Sequence, residues 1–452
     1  MPPASAKITV NLDNRPLPIA YRLLPTMHHK IIILGAGLSG AGCARELPGS
    51  VIYEAKDHPG GHVWSHEQHE VSYDEGAHIS HTKDGAWQER IAASAGRVVT
   101  IPQSKVANYW HGHWTTYPVQ NHLRELPPDL RIRALNDLVS AQIAHQGKTA
   151  AHYAEWIHFQ YGPFLAEKFY REYTDKYWRT PMEEMDTDWL SGRLLPSQIE
   201  RIIHGSIAPL DEKQSVFSSF RYPERGGFFA FHRALYEGLD VRLKARLVRL
   251  DPVGKVAHFE DGRTARYDRL VSTIPLPVLL GCIADAPDAL RADAACLRHT
   301  QMLGVNILVN RANLCPHHWF YIYDPDIAVS RVKVMSNITP VGCPPGTTAL
   351  QTEIFRRDDE VFDIPALKRQ TVQDMARLLG FDAERDVGAV DHVYASHAYP
   401  IPTLGRQAAV ERIAAWLSER GIITAGLYGR WNYIWSDVAY RTGAEAARLI
   451  LA

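Results

Sequence analysis

The sequence predicts an α/β fold: a parallel nucleotide-binding sheet, a helical insertion and a second, antiparallel sheet. Three observations predict it. An apolar run from Lys30 to Leu34 leads into a glycine-rich turn. Apolar residues from about Arg131 to Trp178 recur every three or four positions, and the pattern shortens to strand-like stretches from Val241 to Pro275 and from Met302 to Phe355.

Lys30-Ile31-Ile32-Ile33-Leu34 is short enough for a buried parallel strand. In Gly35-Ala36-Gly37-Leu38-Ser39-Gly40, Gly35 allows the tight turn, Gly37 lets a pyrophosphate approach the backbone, and Gly40 lets the next helix pack on the strand. The helix start at Leu38 and Ser39 offers unpaired amides and a dipole favouring an anion, the dipole alone by about 0.3–1 kcal/mol. A second strand, Val51-Ile52-Tyr53, ends at Glu54, the spacing of the acid that accepts hydrogen bonds from a ribose. An adenosine cofactor is implied. A turn-forming glycine cluster is the simpler account, and strand, helix and Glu54 together count against it.

The helical stretch carries Leu135, Leu138, Val139 and Ile143, then Trp156, Phe159, Phe164, Leu165 and Phe169, at helical spacing. Strands around Val248 to Phe259 and Arg263 to Ile274 are joined by an Asp261-Gly262 hairpin turn. Gly304 to Val309 and Ala349 to Phe355 read as strands, and the amphipathic run Ala366 to Leu379 as a helix covering them.

At 452 residues the chain exceeds one core, so two or three domains are expected. A net charge of -1 with intermixed signs argues against nucleic acid or an anionic membrane as the main partner. No apolar run approaches the roughly 18 residues of a transmembrane helix, and none has the arrangement of a secretory signal, so a cytoplasmic location is the default expectation. Cys43, Cys282, Cys296, Cys315 and Cys343 are scattered, the pattern of reduced structural thiols. Residues 1–26, with several prolines and no periodicity, read as a disordered N-terminal extension, Met27 being an alternative start.

Glu54-Ala55 followed by Gly60-Gly61-His62 resembles the extended signature of the FAD-dependent oxidoreductase superfamily that includes amine oxidases. A second glycine pair lets the chain pass beside a cofactor without side-chain clash. The resemblance implies FAD. It also implies that the hairpin ending in Ser272-Thr273-Ile274-Pro275 returns to the first sheet. The expected organisation is a discontinuous Rossmann-like FAD-binding domain (27–92, 226–278 and 419–452), a helical domain (120–218) and a substrate-binding sheet domain (93–119 and 279–418).

Gly76-Ala77-His78-Ile79-Ser80-His81-Thr82 resembles the Gly-x-His-Ile-Phe-His-Thr segment of UDP-galactopyranose mutases. The run from Phe169 through Tyr173, Thr174 and Lys176 to Trp178 is similar to that family's Phe-x-x-x-Tyr-Thr-x-Lys-x-Trp helix, with Arg193 at the place of its downstream arginine. Gly426-Leu427-Tyr428-Gly429-Arg430-Trp431-Asn432-Tyr433 resembles its Gly-Arg-Leu-Gly-Thr-Tyr-x-Tyr segment. By this resemblance Phe169 and Tyr173 bracket a nucleobase and Trp178 lines the sugar pocket. Arg193 and Arg331 neutralise a diphosphate, while Tyr399 and Tyr433 hydrogen-bond its oxygens. His78, Ile79 and His81 lie against the flavin, and Gly429, Tyr433 and Asp437 near its far end. The catalytic set is then His78, Arg193, Arg331 and Tyr433. Aromatic faces stack on a base, and guanidinium forks match phosphate oxygens.

Each group also has a plainer account. Phe169, Tyr173 and Trp178 could be a core stripe, Arg193 and Arg331 surface ion pairs, and Asp437 a helix cap. His78 and His81 could be satisfied buried histidines; no third residue stands at metal-ligand spacing. Leu427 stands where the family has arginine, Ser80 where it has phenylalanine, and Trp435 where it has an acid; Arg430, three residues beyond Leu427, is a candidate for the missing charge whose guanidinium the sequence does not place. Tyr117-Pro118-Val119-Gln120-Asn121 and Arg221 to Gly227 resemble mutase-related proteins grouped with protoporphyrinogen oxidases. The expectation is a nucleotide-sugar isomerase using reduced flavin as nucleophile. Its alternatives are a flavin oxidase or dehydrogenase, and a flavin-binding protein without catalysis.

Overall fold

The computed structural model describes residues 27–191, 193–194, 196–210 and 218–451; the expected extension over residues 1–26 lies outside the described residues. Strand β1 (Met27–Leu34) passes through Gly35 into helix α1 (Leu38–Glu46), which returns to strand β2 (Val51–Tyr53) parallel to β1. Ile32, Ile33 and Leu34 are fully buried, as an apolar parallel strand covered on both faces should be.

β1 lies between β2 and Thr264–Ser272. Asp240–Arg242 extends the sheet beyond β2, and Ile422–Thr424 joins Thr264–Ser272 in parallel. Leu247–Asp251 and Val256–Phe259 add an antiparallel edge, with the Asp261-Gly262 turn leading into Thr264–Ser272. Three stretches far apart in sequence thus build one sheet.

The second sheet runs in the order Val387–Pro400, His299–Val309, Thr348–Arg357, Arg331–Val334, Trp319–Ile322, Val106–Trp110, His113–Thr116. Its pairs are antiparallel except Trp319–Ile322 with Val106–Trp110. Ile364–Leu379 forms the expected amphipathic helix, its N-cap Asp363 accepting from the Ala366 amide. The helical stretch comprises Pro128–Ala144, Tyr153–Leu165 kinked at Gly162-Pro163, a π-helical turn Ala166–Arg171, and Glu172–Tyr177. Single π turns inside helices re-aim side chains, often at functional sites; this one carries Phe169.

Candidate active site

A cavity of about 1250 Å³ runs from the β1–α1 turn to the aromatic face of the helical stretch. This exceeds the usual 300–1,000 Å³ of a small-molecule pocket, leaving room for a cofactor and a second ligand together.

At one end the backbone makes the site. Gly35 has φ +96°, and a Cβ there would lie 2.4 Å from Thr273 Oγ1. A Cβ at Gly40 would lie 2.0 Å from the Gly35 carbonyl, so α1 packs on the turn only without a side chain. Gly37 is different: a Cβ there meets nothing within 4 Å, because it would project into the cavity. No side chain caps α1, which leaves its first-turn amides to a ligand. Ser39 contributes backbone only, since its hydroxyl donates to the Ala439 carbonyl at 2.8 Å. Glu54 accepts from the Ala36 and Lys56 amides at 2.7 and 2.8 Å, one on each carboxylate oxygen. Each oxygen keeps a lone pair for a ribose hydroxyl.

Gly60 and Gly61 lie alongside Gly37, the Gly60 amide donating to Ala36 O at 2.8 Å. The loop bearing them is pinned by buried Glu75, which binds Lys56 Nζ at 2.6 Å and His62 Nδ1 at 2.9 Å. Burial would raise the Glu75 carboxyl, but its hydrogen bond to His62 and the charges of His62 and Lys56 hold it well below the usual range. Gly429 packs against the Ser272 carbonyl, and neither it nor Gly40 reaches the cavity wall. Asp437 is the second residue of the final helix, Ser436–Leu451, so it is not the cap; it accepts from Thr82 Oγ1 at 3.0 Å and Arg441 Nη2 at 3.2 Å.

At the other end side chains make the site. Phe169, Tyr173, Trp178, Arg193, Arg331, Tyr399 and Tyr433 all line the cavity, as do His62, His78, Ile79 and His81. Strand register sets the key pair: Arg331 stands opposite Glu353 on one neighbour and Tyr321 on the other. Arg331 Nε donates to Glu353 Oε2 at 2.6 Å, and the Ala77 amide donates to Glu353 Oε1 at 2.6 Å. Arg331 is therefore an interior ion pair, not a surface one. Trp178 packs edge-on to Tyr433 at 5.6 Å and Tyr433 to Tyr399 at 5.0 Å, with the Tyr177 and Tyr433 hydroxyls 3.3 Å apart. Burial raises the Tyr177 and Tyr399 hydroxyls, keeping both as neutral donors. His78 stacks on Phe228 at 5.1 Å with Nδ1 2.9 Å from Gly76 O; burial lowers it, as it lowers His81.

Several residues escaped the sequence reading. Lys333 and Asp74, both buried, pair at 2.7 Å; Lys333 also donates to the His78 carbonyl at 2.9 Å, and Tyr222 Oη to Asp74 at 2.7 Å. Burial would raise Asp74, but the Lys333 ammonium holds it low. The cavity also takes Tyr117, Tyr177, Tyr321 and Tyr323. The available signal was period two: Arg331 with Lys333, and Tyr321 with Tyr323, fall on one face of extended chain. Lys176 of the matched motif does not reach the cavity wall. Its Nζ donates to the carbonyls of Ile322, Asp324 and Val329 at 2.8, 3.0 and 2.7 Å, tying helix to sheet while burial pushes the ammonium down to about 7. Arg430 is directed to Glu445 at 3.1 Å and does not line the cavity, whereas Leu427 does. Among the described residues no three histidine, cysteine or acidic side chains converge as metal ligands, and no helix is long and apolar enough to cross a membrane.

A glycine-turn βαβ unit opening on a chamber lined with aromatic side chains defines a dinucleotide-dependent enzyme. Residues 38–451 match the flavin-containing amine oxidoreductase family, and the chain belongs to it. Among solved structures it is similar to a reduced UDP-galactopyranose mutase, with TM-score 0.87 and 25% identity over 94% of this chain and 95% of that one. A putative protoporphyrinogen oxidase from Exiguobacterium sp. 255-15 shares the fold at TM-score 0.72 and 15% identity (94% and 99% covered). Putrescine oxidase bound to putrescine does so at TM-score 0.60 and 16% identity (94% and 100% covered). The cofactor is FAD, and the residues present fit it: open space at Gly37, uncapped α1 amides, the Glu54 carboxylate, and a buried Tyr428 hydroxyl in the wall with no hydrogen-bond partner among the described residues.

Proposed function

We propose that this chain is an FAD-dependent isomerase of a nucleotide-sugar, contracting a pyranose ring in the manner of UDP-galactopyranose mutase. The supporting observation is the convergence of Arg193, Arg331, Tyr399 and Tyr433 on the cavity end opposite the glycine turn. Bound in its reduced state, the flavin supplies the nucleophile for the anomeric carbon. The chain's own side chains do the rest. Arg193 and Arg331 offset the charge of the departing diphosphate, and the Tyr399 and Tyr433 hydroxyls donate to its oxygens. Phe169 and Tyr173 hold the base, and Trp178 walls the sugar so that its ring stays positioned while water is excluded. Such catalysis is orientation plus charge compensation, which needs no Ser-His-Asp set.

A panel of UDP-hexopyranoses incubated with the holoenzyme, with and without dithionite, tests the reading. Furanose product formed only after reduction supports it. Product formed in proportion to oxygen consumed, without dithionite, supports a flavin oxidase instead. Under the isomerase reading, Arg193→Ala and Arg331→Ala each abolish turnover with FAD retained; unchanged turnover in both rejects the site.

A further inference from the structure

The two arginines of the chamber are held in opposite ways. Arg331 is held by the Glu353 carboxylate at 2.6 Å. The Arg193 guanidinium carbon instead lies 3.4 Å from the centre of the Tyr433 ring and 4.1 Å from that of Trp435, while Nη2 donates to the Tyr433 carbonyl at 2.8 Å. His81 packs edge-on against Trp435 at 4.6 Å. Trp435 is 36% exposed, so burial alone does not account for its placement.

We propose that Trp435 is a positioning residue that holds Arg193 at the chamber to receive a diphosphate, an inference that rests on the nucleotide-sugar reading. A π face attracts a guanidinium through its quadrupole but carries no net charge, so the arginine stays fully cationic. An acid, which the mutase motif has at this position, would compete for the guanidinium fork. Tryptophan gives the largest face for the same task. Arg193 then loses its rotamer freedom once, in the ligand-free protein, instead of at each binding event. Arg331, paired with a carboxylate, thus works beside an arginine held by aromatic rings, and the two meet an incoming diphosphate from differently built supports.

Calorimetric titration of the oxidised holoenzyme with UDP, CDP, GDP, ADP and dTDP identifies the tightest binder, which becomes the probe. Arg193→Ala is expected to weaken it at least about tenfold. Trp435→Leu, which keeps apolar bulk without a π face, should weaken it about 2- to 30-fold, and Trp435→Phe should restore binding to within about threefold of the parent. Flavin absorbance verifies that each variant retains its cofactor and fold. Parent-like affinity in Trp435→Leu, equal losses in the Leu and Phe variants, or shedding of flavin by Trp435→Leu overturns the positioning role. If the parent binds no nucleoside diphosphate, or Arg193→Ala binds as the parent does, the nucleotide-sugar reading itself fails.

Discussion

The two ends of the cavity are built by different means. The glycine-rich end is backbone: amides of the β1–α1 turn, a loop pinned by Glu75, and the Glu54 carboxylate, all from residues 35 to 75. The opposite end is side chain: aromatic rings and ion pairs from residues 74, 169 to 193, 331 to 353, 399 and 433, brought together by two sheets and a helical stretch. A backbone site fails when an atom is added. A side-chain site fails when a charge is left without its partner.

The largest effect is expected at the second end. Lys333→Met leaves the Asp74 carboxyl without its cation at 0% exposure, and losing one partner of a buried pair costs about 3–5 kcal/mol. Urea unfolding should show that loss, and Lys333→Met with Asp74→Asn should recover part of it. A single variant as stable as the parent would mean that the pair is not what holds the chamber's floor.

Acid attacks the same end. Burial pushes His232, whose Nδ1 lies 3.1 Å from the Phe228 carbonyl, down to about 3. Its native value lies below the unfolded 6.5, so the unfolded chain binds the proton first. The stabilisation is complete above pH 6.5 and is lost as pH falls toward 3. At pH 4 the holoenzyme should be about 3 kcal/mol less stable than at pH 7 from this group alone. His232→Gln should flatten that limb of the unfolding-against-pH curve; an unchanged slope would assign acid sensitivity elsewhere.

This contrast also explains what was legible in the sequence. The glycine turn, α1, β2 and Glu54 are one local unit whose spacing is the geometry, so the chain order carried it. The hairpin at Asp261-Gly262 was equally local. The chamber was legible only where a family motif marked it, as at Phe169, Tyr173, Trp178 and Arg193. Glu353 opposite Arg331 depends on the register of two strands, and Asp74 opposite Lys333 on how the end of strand Val71–Asp74 meets a separate sheet; no spacing along the chain encodes either. Lys176 shows the converse, a motif residue whose part is to tie a helix to three carbonyls.

Next in size is the cofactor end. Gly37→Ala adds a methyl group that meets no protein atom within 4 Å, so the apoprotein should keep its stability. The glycine motif predicts that the pyrophosphate approaches at Gly37, where the methyl group would stand in its path, and each charge-assisted hydrogen bond displaced is worth about 1.5–3 kcal/mol. FAD affinity should fall by roughly one to two orders of magnitude, measured by the flavin fluorescence recovered on dialysis. Full retention of FAD would move the pyrophosphate away from this turn.

The smallest effect separates a charge at the cavity from one merely near it in sequence. Arg430 and Glu445 form a pair with side chains 37% and 52% exposed, and pairs that wet contribute about 0–1 kcal/mol. Arg430→Ala should leave the melting temperature and FAD content within error. Leu427→Arg, by contrast, places a guanidinium on the cavity wall itself, where Leu427 already lies. If Arg430→Ala sheds flavin, its side chain must turn inward when the cofactor binds and the family's missing charge has been moved by three residues. If it does not, the cavity wall at Leu427 works without a guanidinium, and cofactor binding in this chain leans on backbone amides.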